Sequence, residues 1–133
     1  MREGKPKHHI LVVDDEPNVL ITYRLILEQQ GYDVSAAISS EEARRVLRDR
    51  EVDLLLCDLS LERQENGFDV IDVARGKNPH MSAVLLTGYA TPEATDRAEA
   101  SGIPVLFKPI DIKLLLQTIS ELLRDVHEHK ASG

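Results

Sequence analysis

Short, mainly apolar runs constrain the fold of this 133-residue chain more than any other feature of its sequence. The runs are Ile10–Val13, Val52–Cys57, Ala83–Leu86 and Val105–Phe107. They alternate with segments of helical periodicity, a pattern that indicates a parallel sheet covered by helices on both faces. In such a sheet the carboxyl ends of the strands form the crevice where ligands bind.

Polar residues whose side chains can bind a ligand or take part in a reaction follow these runs. They are Asp14, Asp15, Asp58, Thr87 and Lys108. We therefore expect three carboxylates, a hydroxyl and an ammonium to converge on one edge of the sheet. That set of groups suits a divalent metal ion and a phosphoryl group.

Start and stop signals divide the chain into five strands and five helices. The predicted strands cover about 9–14, 33–37, 52–57, 83–86 and 104–107. The predicted helices cover 17 to before Gly31, about 39 or 40 to before 52, about 68–75, 92 to about 100, and about 111–127. Strict alternation with right-handed crossovers favours a three-layer α/β fold, the flavodoxin-like (βα)5 architecture with strand order 2-1-3-4-5. Strands 1 and 3 are neighbours in that order, so Asp14, Asp15 and Asp58 should meet.

Apolar residues at helical spacing predict which helix faces are buried. In the first helix these are Val19, Leu20, Tyr23, Leu25, Ile26 and Leu27, and in the fifth they are Ile112, Leu115, Leu116, Ile119, Leu122 and Leu123. Residues 1–8 are expected to form a flexible leader, residues 9–127 the single domain, and residues 128–133 a frayed tail. His8 and His9 are interpreted as exposed side chains that bind no metal.

Composition excludes several classes of function. A net charge of −7 argues against direct binding of nucleic acid or an anionic membrane by this domain. No apolar stretch approaches the ~20 residues that span a bilayer, and no secretory signal is evident, so a cytoplasmic location is expected. A single cysteine, Cys57, rules out an internal disulfide.

The candidate residues suit Mg²⁺ and phosphoryl chemistry. Neighbouring carboxylates repel unless a cation neutralises them, and Mg²⁺ prefers oxygen ligands and keeps several waters. Asp15 and Asp58 fit direct ligation, and Asp14 fits a role through water. A carboxylate can also act as a nucleophile, and Asp58 on the central strand is the preferred acceptor. Lys108 would supply a point charge and Thr87 a hydroxyl donor.

From Ile10 to about Val126 the chain resembles the response-regulator receiver domain of two-component signalling. The matching pieces, in receiver-like order and spacing, are Asp14-Asp15-Glu16-Pro17, Asp58-Leu59, Gly67, Thr87-Gly88 and Lys108-Pro109. Each piece is weak alone, but the full set over one domain is specific.

The resemblance implies that Asp58 accepts a phosphoryl group from a sensor histidine kinase or a histidine phosphotransfer protein. It implies that Mg²⁺ is bound by Asp15, Asp58 and the backbone carbonyl of Ser60, with Asp14 acting through water. Thr87 and Lys108 would hold the phosphoryl oxygens, and the bond before Pro109 would be cis, as is usual in the family. The protein would be a signalling switch rather than an enzyme, able to catalyse its own phosphorylation and dephosphorylation and connected to an output domain or a downstream protein.

The chain departs from the family pattern in two places. Leu61-Glu62 replaces a common Met-Pro pair, and Gly67 comes one residue late, so the loop Glu62–Asn66 carries an insertion that we interpret as solvated loop variation. Val105 stands where many receivers carry a Tyr or Phe that moves inward on activation.

Three other functions compete with this reading. The first is a receiver-like docking module that never uses phosphate. The second is an Mg-dependent aspartate-nucleophile phosphohydrolase, which commonly places an acid two residues after the nucleophile, where this chain has Ser60. The third is a flavodoxin, whose phosphate the acids at Asp14-Asp15-Glu16 would repel.

Overall fold

Five strands and five helices alternate along the chain. The computed structural model describes residues 7–61 and 66–132, with side chains as far as Arg124. The elements are β1 (His9–Val13), α1 (Pro17–Gln29), β2 (Asp33–Ala37), α2 (Ser40–Asp49), β3 (Leu54–Asp58), α3 (Gly67–Lys77), β4 (Ser82–Thr87), α4 (Pro92–Ala100), β5 (Val105–Phe107) and α5 (Ile112–Ser132). The strands pair in parallel in the order β2-β1-β3-β4-β5. This confirms the predicted three-layer, flavodoxin-like fold.

The register of the sheet aligns the carboxyl ends of its strands. Val13 pairs with Cys57, Asp58 with Leu86, and Thr87 with Phe107. Because the ladder is continuous from β1 to β5, the residues that end or follow these strands lie along one edge.

The two faces of the sheet bury separate apolar clusters. Alternate strand residues point to opposite faces, so Leu11 and Leu55 join one cluster while Ile10 and Leu54 join the other. The first cluster packs under α2, α3 and α4, and the second packs under α1 and α5. Strands β1, β3 and β4 are buried along their whole length, which explains why they read as continuous apolar runs.

The predicted stripe of α1 is wrong at one position. Leu20, Tyr23 and Leu27 are buried, whereas Leu25 is 57% exposed. A helix turns about 100° per residue, so residues 20, 23 and 27 share a face and residue 25 lies away from it. In α5, Leu115, Ile119 and Leu123 are buried, Leu116 and Leu122 are partly buried, and Ile112 at the first turn is 36% exposed.

Several boundaries differ from those that the sequence predicts. Strand β3 begins at Leu54 and includes Asp58. Helix α5 continues to Ser132, so the predicted helix end at about His127 is wrong. Good helix formers and the absence of Gly or Pro before Gly133 explain the extension. Ser39 is the N-cap of α2, accepting a hydrogen bond from the Glu42 N–H. Residues 1–6 of the predicted leader lie outside the described residues.

His9 is buried, contrary to the sequence interpretation. It is the first residue of β1 and is 5% exposed. Its Nδ1 lies 2.7 Å from the Glu51 carbonyl oxygen and its Nε2 lies 2.7 Å from Ser35 Oγ, while its backbone N–H donates to Asp53 Oδ2. Both ring nitrogens are therefore satisfied, which makes burial of a histidine acceptable.

The loop after β3 is closed at its base. Ser60 and Asn66 form an isolated antiparallel bridge, and the Gly67 N–H donates to the Leu59 carbonyl over 2.9 Å. Asn66 caps α3 by accepting from the Phe68 N–H. The predicted insertion falls mainly on residues 62–65, which lie outside the described part of the chain.

Within residues 7–61 and 66–132, no helix is both long enough and apolar enough to cross a membrane.

Gly67 is required by close packing rather than by backbone conformation. A Cβ added there would lie 2.6 Å from the Asp58 carbonyl oxygen, 3.0 Å from Leu85 Cδ2 and 3.2 Å from Cys57 Sγ. We expect Gly67→Ala to lower the free energy of unfolding by about 1–3 kcal/mol, because backbone and core must move apart. Urea denaturation measures this change.

Gly76→Ala is the matched control in the same helix. Nothing lies within 4 Å of a Cβ added at Gly76, so the substitution should stabilise the fold by up to about 1 kcal/mol through helix propensity. Equal urea midpoints for the two variants would contradict the packing explanation.

Candidate functional site

Three carboxylates meet at the carboxyl edge of the sheet. Asp14 directly follows β1, where its backbone N–H donates to the Ala37 carbonyl over 3.1 Å, and Asp58 ends the adjacent strand β3. With Asp15 they place one carboxylate oxygen each within 4.8 Å of one another. The predicted convergence of these acids is therefore present in the fold.

Asp14 is the most buried of the three acids, at 2% exposure. Its Oδ1 accepts from the Glu16 N–H over 2.9 Å, while its Oδ2 is buried without a hydrogen-bond partner. Burial raises the pKa of Asp14 to about 6; the nearby Asp58 charge adds to this increase, and the Glu16 hydrogen bond opposes it. An ionised Asp14 is therefore only partly compensated, by the Glu16 hydrogen bond and by the Lys108 ammonium, whose Nζ lies 3.8 Å from Oδ2.

This donor set fits a hard divalent cation. Clustered carboxylate oxygens, one of them unsatisfied, are the ligands that Mg²⁺ takes in proteins. Ser60 lies beside the cluster, since its backbone N–H donates to Asp58 Oδ1 over 3.0 Å.

Lys108 joins the edge strand of the sheet to the acids at its centre. Its backbone N–H donates to the Thr87 carbonyl over 2.8 Å, and its Nζ donates to Asp58 Oδ2 over 2.8 Å. The same Nζ lies 3.8 Å from Asp14 Oδ2. Partial burial alone would lower the pKa of Lys108, but the hydrogen bond to Asp58 and the negative charges of Asp58 and Asp14 outweigh it and raise the pKa. The bond to Pro109 is cis, as the resemblance implies.

Thr87 lies at the same edge, but its hydroxyl is bonded elsewhere. The hydroxyl donates to the Tyr89 carbonyl over 2.8 Å and accepts from the Tyr89 N–H at 3.2 Å. Thr87 is only 2% exposed. The sequence placed this residue correctly at the strand end, but the direction of its hydroxyl depends on the turn that follows.

The aromatic residue of β5 is Phe107. Val105 is half-buried and pairs with Leu85, whereas Phe107 pairs with Thr87 and is 54% exposed. The edge strand thus carries an exposed aromatic ring next to the threonine, although Val105 occupies the expected aromatic position.

Sequence reasoning assigned Tyr23 only to the core. Tyr23 is 7% exposed, and burial raises the pKa of its phenol, a shift that the Lys108 charge opposes.

The arrangement can hold a cation and present an acid as a nucleophile. Lys108 and the clustered oxygens leave Asp58 oriented by two hydrogen bonds, from the Lys108 ammonium and the Ser60 N–H. A carboxylate so held can attack a phosphoryl group whose oxygen charge the cations offset. Ser60 offers no carboxyl group that could act as the proton donor of a phosphohydrolase.

Two curated relatives are similar to this chain in sequence. The chain is 39% identical over 101 residues to the alginate biosynthesis transcriptional regulatory protein AlgB of Pseudomonas aeruginosa, covering 75% of this chain and 22% of the relative. It is 33% identical over 116 residues to the transcriptional regulatory protein GlrR of Escherichia coli K12, covering 86% of this chain and 26% of the relative. The chain thus spans about a quarter of the length of these proteins.

Solved structures and a match to a protein family are consistent with these sequence relatives. A response regulator receiver domain protein (CheY-like) from Methanospirillum hungatei JF-1 superposes with a TM-score of 0.87 and 28% identity, covering 93% of this chain and 99% of that one. The signal receiver domain of an HD domain-containing protein from Pseudomonas fluorescens Pf-5 gives a TM-score of 0.85 at 26% identity, covering 92% and 99%. The response regulator receiver domain family matches residues 10–120. With its (βα)5 fold, its acidic edge and its lysine at the end of β5, the chain belongs to the response regulator receiver domain family of two-component signalling.

Proposed function

We propose that Asp58 accepts a phosphoryl group in an Mg²⁺-dependent reaction and that phosphorylation switches the surface around Thr87 and Lys108. The observation that carries this proposal is the contact of Lys108 Nζ with Asp58 Oδ2 at 2.8 Å inside a cluster of acids. Lys108 neutralises the acceptor carboxylate now and could neutralise phosphoryl oxygens later.

The metal proposal assigns a role to each oxygen donor. Asp15 and Asp58 would bind Mg²⁺ directly together with the Ser60 carbonyl, and Asp14 would bind through water. The unsatisfied Oδ2 of Asp14 supports this assignment because a water on the ion would donate to it. When bound, the ion supplies charge neutralisation for the acids and for the phosphoryl oxygens.

The chain's own residues would then perform the transfer. An oxygen of Asp58 forms a bond to phosphorus as the P–N bond to the donor imidazole breaks, and the imidazole leaves with its electron pair. Lys108 moves its hydrogen bond from the carboxylate to a phosphoryl oxygen. The donor would be a sensor histidine kinase or a histidine phosphotransfer protein, and small phosphoryl donors would allow autophosphorylation.

Thr87 would transmit the effect of phosphorylation to the rest of the fold. Its hydroxyl would leave the Tyr89 carbonyl, which it now holds at 2.8 Å, and donate to a phosphoryl oxygen. The turn at residues 88–91 would lose that tether and rearrange. A charge added at Asp58 would thereby bias a loop with two arrangements.

The partners follow from the same proposal. The relatives are transcriptional regulatory proteins of which this chain matches about a quarter, so an output domain or a downstream protein would receive the signal. The receiver domain would comprise residues 9–127, act in the cytoplasm, and contact neither nucleic acid nor membrane directly.

A phosphate-independent docking module is the second candidate. The observation that favours it is Val105, which leaves the expected aromatic position of β5 without a ring. The two candidates differ in whether Asp58 becomes phosphorylated.

Phosphorylation is tested by intact mass after incubation with Mg²⁺ and acetyl phosphate. We expect wild type to gain one phosphoryl group and Asp58→Asn to gain none, because the amide is not a nucleophile for this reaction. Asp53→Asn, at the opposite end of β3, is the control and should react like wild type. No adduct on wild type with acetyl phosphate or with a panel of phosphohistidine proteins would favour the docking module.

The raised pKa of Asp14 predicts how stability depends on pH and on Mg²⁺. Its folded pKa of about 6 lies above the ordinary value of 3.8, so the folded state keeps a proton that the unfolded state has released between about pH 4 and pH 6. The protonated Asp14 therefore contributes its full stabilisation of the folded state below about pH 4, and this contribution is lost as pH rises through 6. Without Mg²⁺ at pH 7, Asp14→Asn should be more stable than wild type by about 1–3 kcal/mol.

Mg²⁺ should reduce the stability advantage of Asp14→Asn over wild type. At 100 times its dissociation constant the ion stabilises a folded site by about 2.7 kcal/mol, and Asp14→Asn should gain less than wild type. The exposed Asp96→Asn serves as the control and should follow wild type in both conditions. Urea denaturation at pH 4 and pH 7 measures all three proteins, and identical pH profiles for wild type and Asp14→Asn would refute the assignment.

A further inference from the structure

Helix α4 has little apolar surface to hold it against the sheet. In this nine-residue helix, all of which the structure describes, Ala98 is the only buried residue, and Ala94 is partly buried. An alanine side chain buries far less apolar area than a leucine or phenylalanine side chain, and helices shorter than about 12 residues are marginal by themselves in water. The position of α4 therefore depends on contacts besides its apolar face.

Arg97 makes such contacts from α4 to α3. Its Nη2 donates to Asp72 Oδ2 over 2.9 Å, and its Cζ lies 4.3 Å from the centroid of the Phe68 ring. Residues 94, 97 and 98 lie on one side of the helix, so Arg97 lies beside the alanines that face the core. We call Arg97, Asp72 and Phe68 together the α3–α4 latch.

The α3–α4 latch combines two contacts of modest strength. The side chains of Arg97 and Asp72 are 49% and 66% exposed, and solvent screening leaves such an ion pair with a small net contribution. The Phe68 ring is fixed, at 3% exposure, and a guanidinium over an aromatic face adds a second favourable contact. Their sum is small enough for a new charge in the site to overcome.

The two helices that the latch joins both begin beside the site. Helix α3 begins at Gly67, which passes close to the Asp58 carbonyl. Helix α4 begins at Pro92, directly after the turn at residues 88–91, whose Tyr89 carbonyl accepts from the Thr87 hydroxyl. A rearrangement of that turn would therefore move the start of α4, while the buried residues of α3 hold that helix in place.

The C-terminal end of α4 is held to α3 separately. Arg75 of α3 donates from Nη1 to the carbonyl of Ser101, the C-cap of α4, over 3.0 Å. Its Nε donates to the Met81 carbonyl over 3.1 Å, which fixes the guanidinium. When the latch opens, this contact would keep the C-terminal end in place, and the N-terminal end beside the turn would move.

We propose that the α3–α4 latch is an autoinhibitory contact, which holds α4 in the arrangement of the unphosphorylated protein and opens when Asp58 carries a phosphoryl group. A contact made in only one of two arrangements shifts their equilibrium by its own free energy. The latch would thus set how readily the domain switches. This inference rests on the proposed function, since it requires Asp58 to be the phosphoacceptor.

Arg97→Ala tests the latch through the binding of beryllofluoride, a phosphoryl mimic, in saturating Mg²⁺. Loss of a contact that favours the unphosphorylated arrangement should let the variant bind the mimic about 2–10-fold more tightly than wild type. Arg45→Ala is the matched control, because it removes an exposed ion pair with Glu41, 3.6 Å long, within α2. It should bind beryllofluoride like wild type.

Asp72→Ala breaks the same latch from α3. Its side chain is 66% exposed, so the substitution should leave the fold intact, and it should also tighten binding. Arg97→Ala and Asp72→Ala change the net charge in opposite directions, so a general charge effect would move the two affinities apart. The double variant should bind no more tightly than Arg97→Ala, because both changes remove one contact.

Amide NMR signals of α4 give a readout that needs no phosphoryl group. In unphosphorylated Arg97→Ala these signals should move toward their positions in beryllofluoride-bound wild type, because the opened arrangement is then more populated. A purely structural contact would lower the stability of the fold without moving the signals in that direction.

Latch variants that bind beryllofluoride like wild type would overturn the proposal. Opposite shifts for Arg97→Ala and Asp72→Ala, an equal gain for Arg45→Ala, or α4 signals that do not move toward the bound positions would overturn it too. Wild type that neither gains a phosphoryl group from acetyl phosphate nor binds beryllofluoride rejects the proposed function and this inference together. Phosphorylated wild type with unaffected latch variants rejects the inference alone.

Discussion

The ion pair between Lys108 and Asp58 connects the edge of this sheet to its centre, and the chemistry of the site depends on it. The 2.8 Å contact crosses from the residue after β5 to the last residue of β3, with β4 between them. Two further acids crowd the same edge, so the lysine is the one cation that the described residues place against the cluster. Its position in turn depends on the ladder bond from its N–H to Thr87.

The apolar clusters on both faces make this unfavourable concentration of acids possible. Burial raises the pKa of Asp14 to about 6 and leaves its Oδ2 without a hydrogen-bond partner, a cost in free energy that a stable core must offset. Among the side chains that the structure describes, this oxygen is the one buried polar atom without a hydrogen-bond partner, and such exceptions concentrate at functional sites. The unsatisfied oxygen and the clustered acids therefore suit this site to bind a cation.

Residue pattern alone predicted most of the architecture, for a physical reason. Strands buried on both faces must be apolar throughout, and helices that cover them must carry a period of 3.6, so β1, β3 and β4 are visible in the sequence. The prediction for Leu25 was wrong because its angle on α1 turns it away from the buried face. The prediction for His9 was wrong because its burial depends on contacts distant in sequence, from its ring to Glu51 and Ser35.

The sequence by itself determined which groups end the strands, and with them the convergence of Asp14, Asp15, Asp58 and Lys108, because parallel strands share one carboxyl edge. Tertiary structure decided how these groups are directed. The Thr87 hydroxyl bonds to Tyr89 instead of facing the acids, and Gly67 passes too close to the Asp58 carbonyl for any side chain. Hydrogen-bond direction and close contact depend on distances of a few tenths of an ångström across the fold, which a pattern of residue types along the chain does not encode.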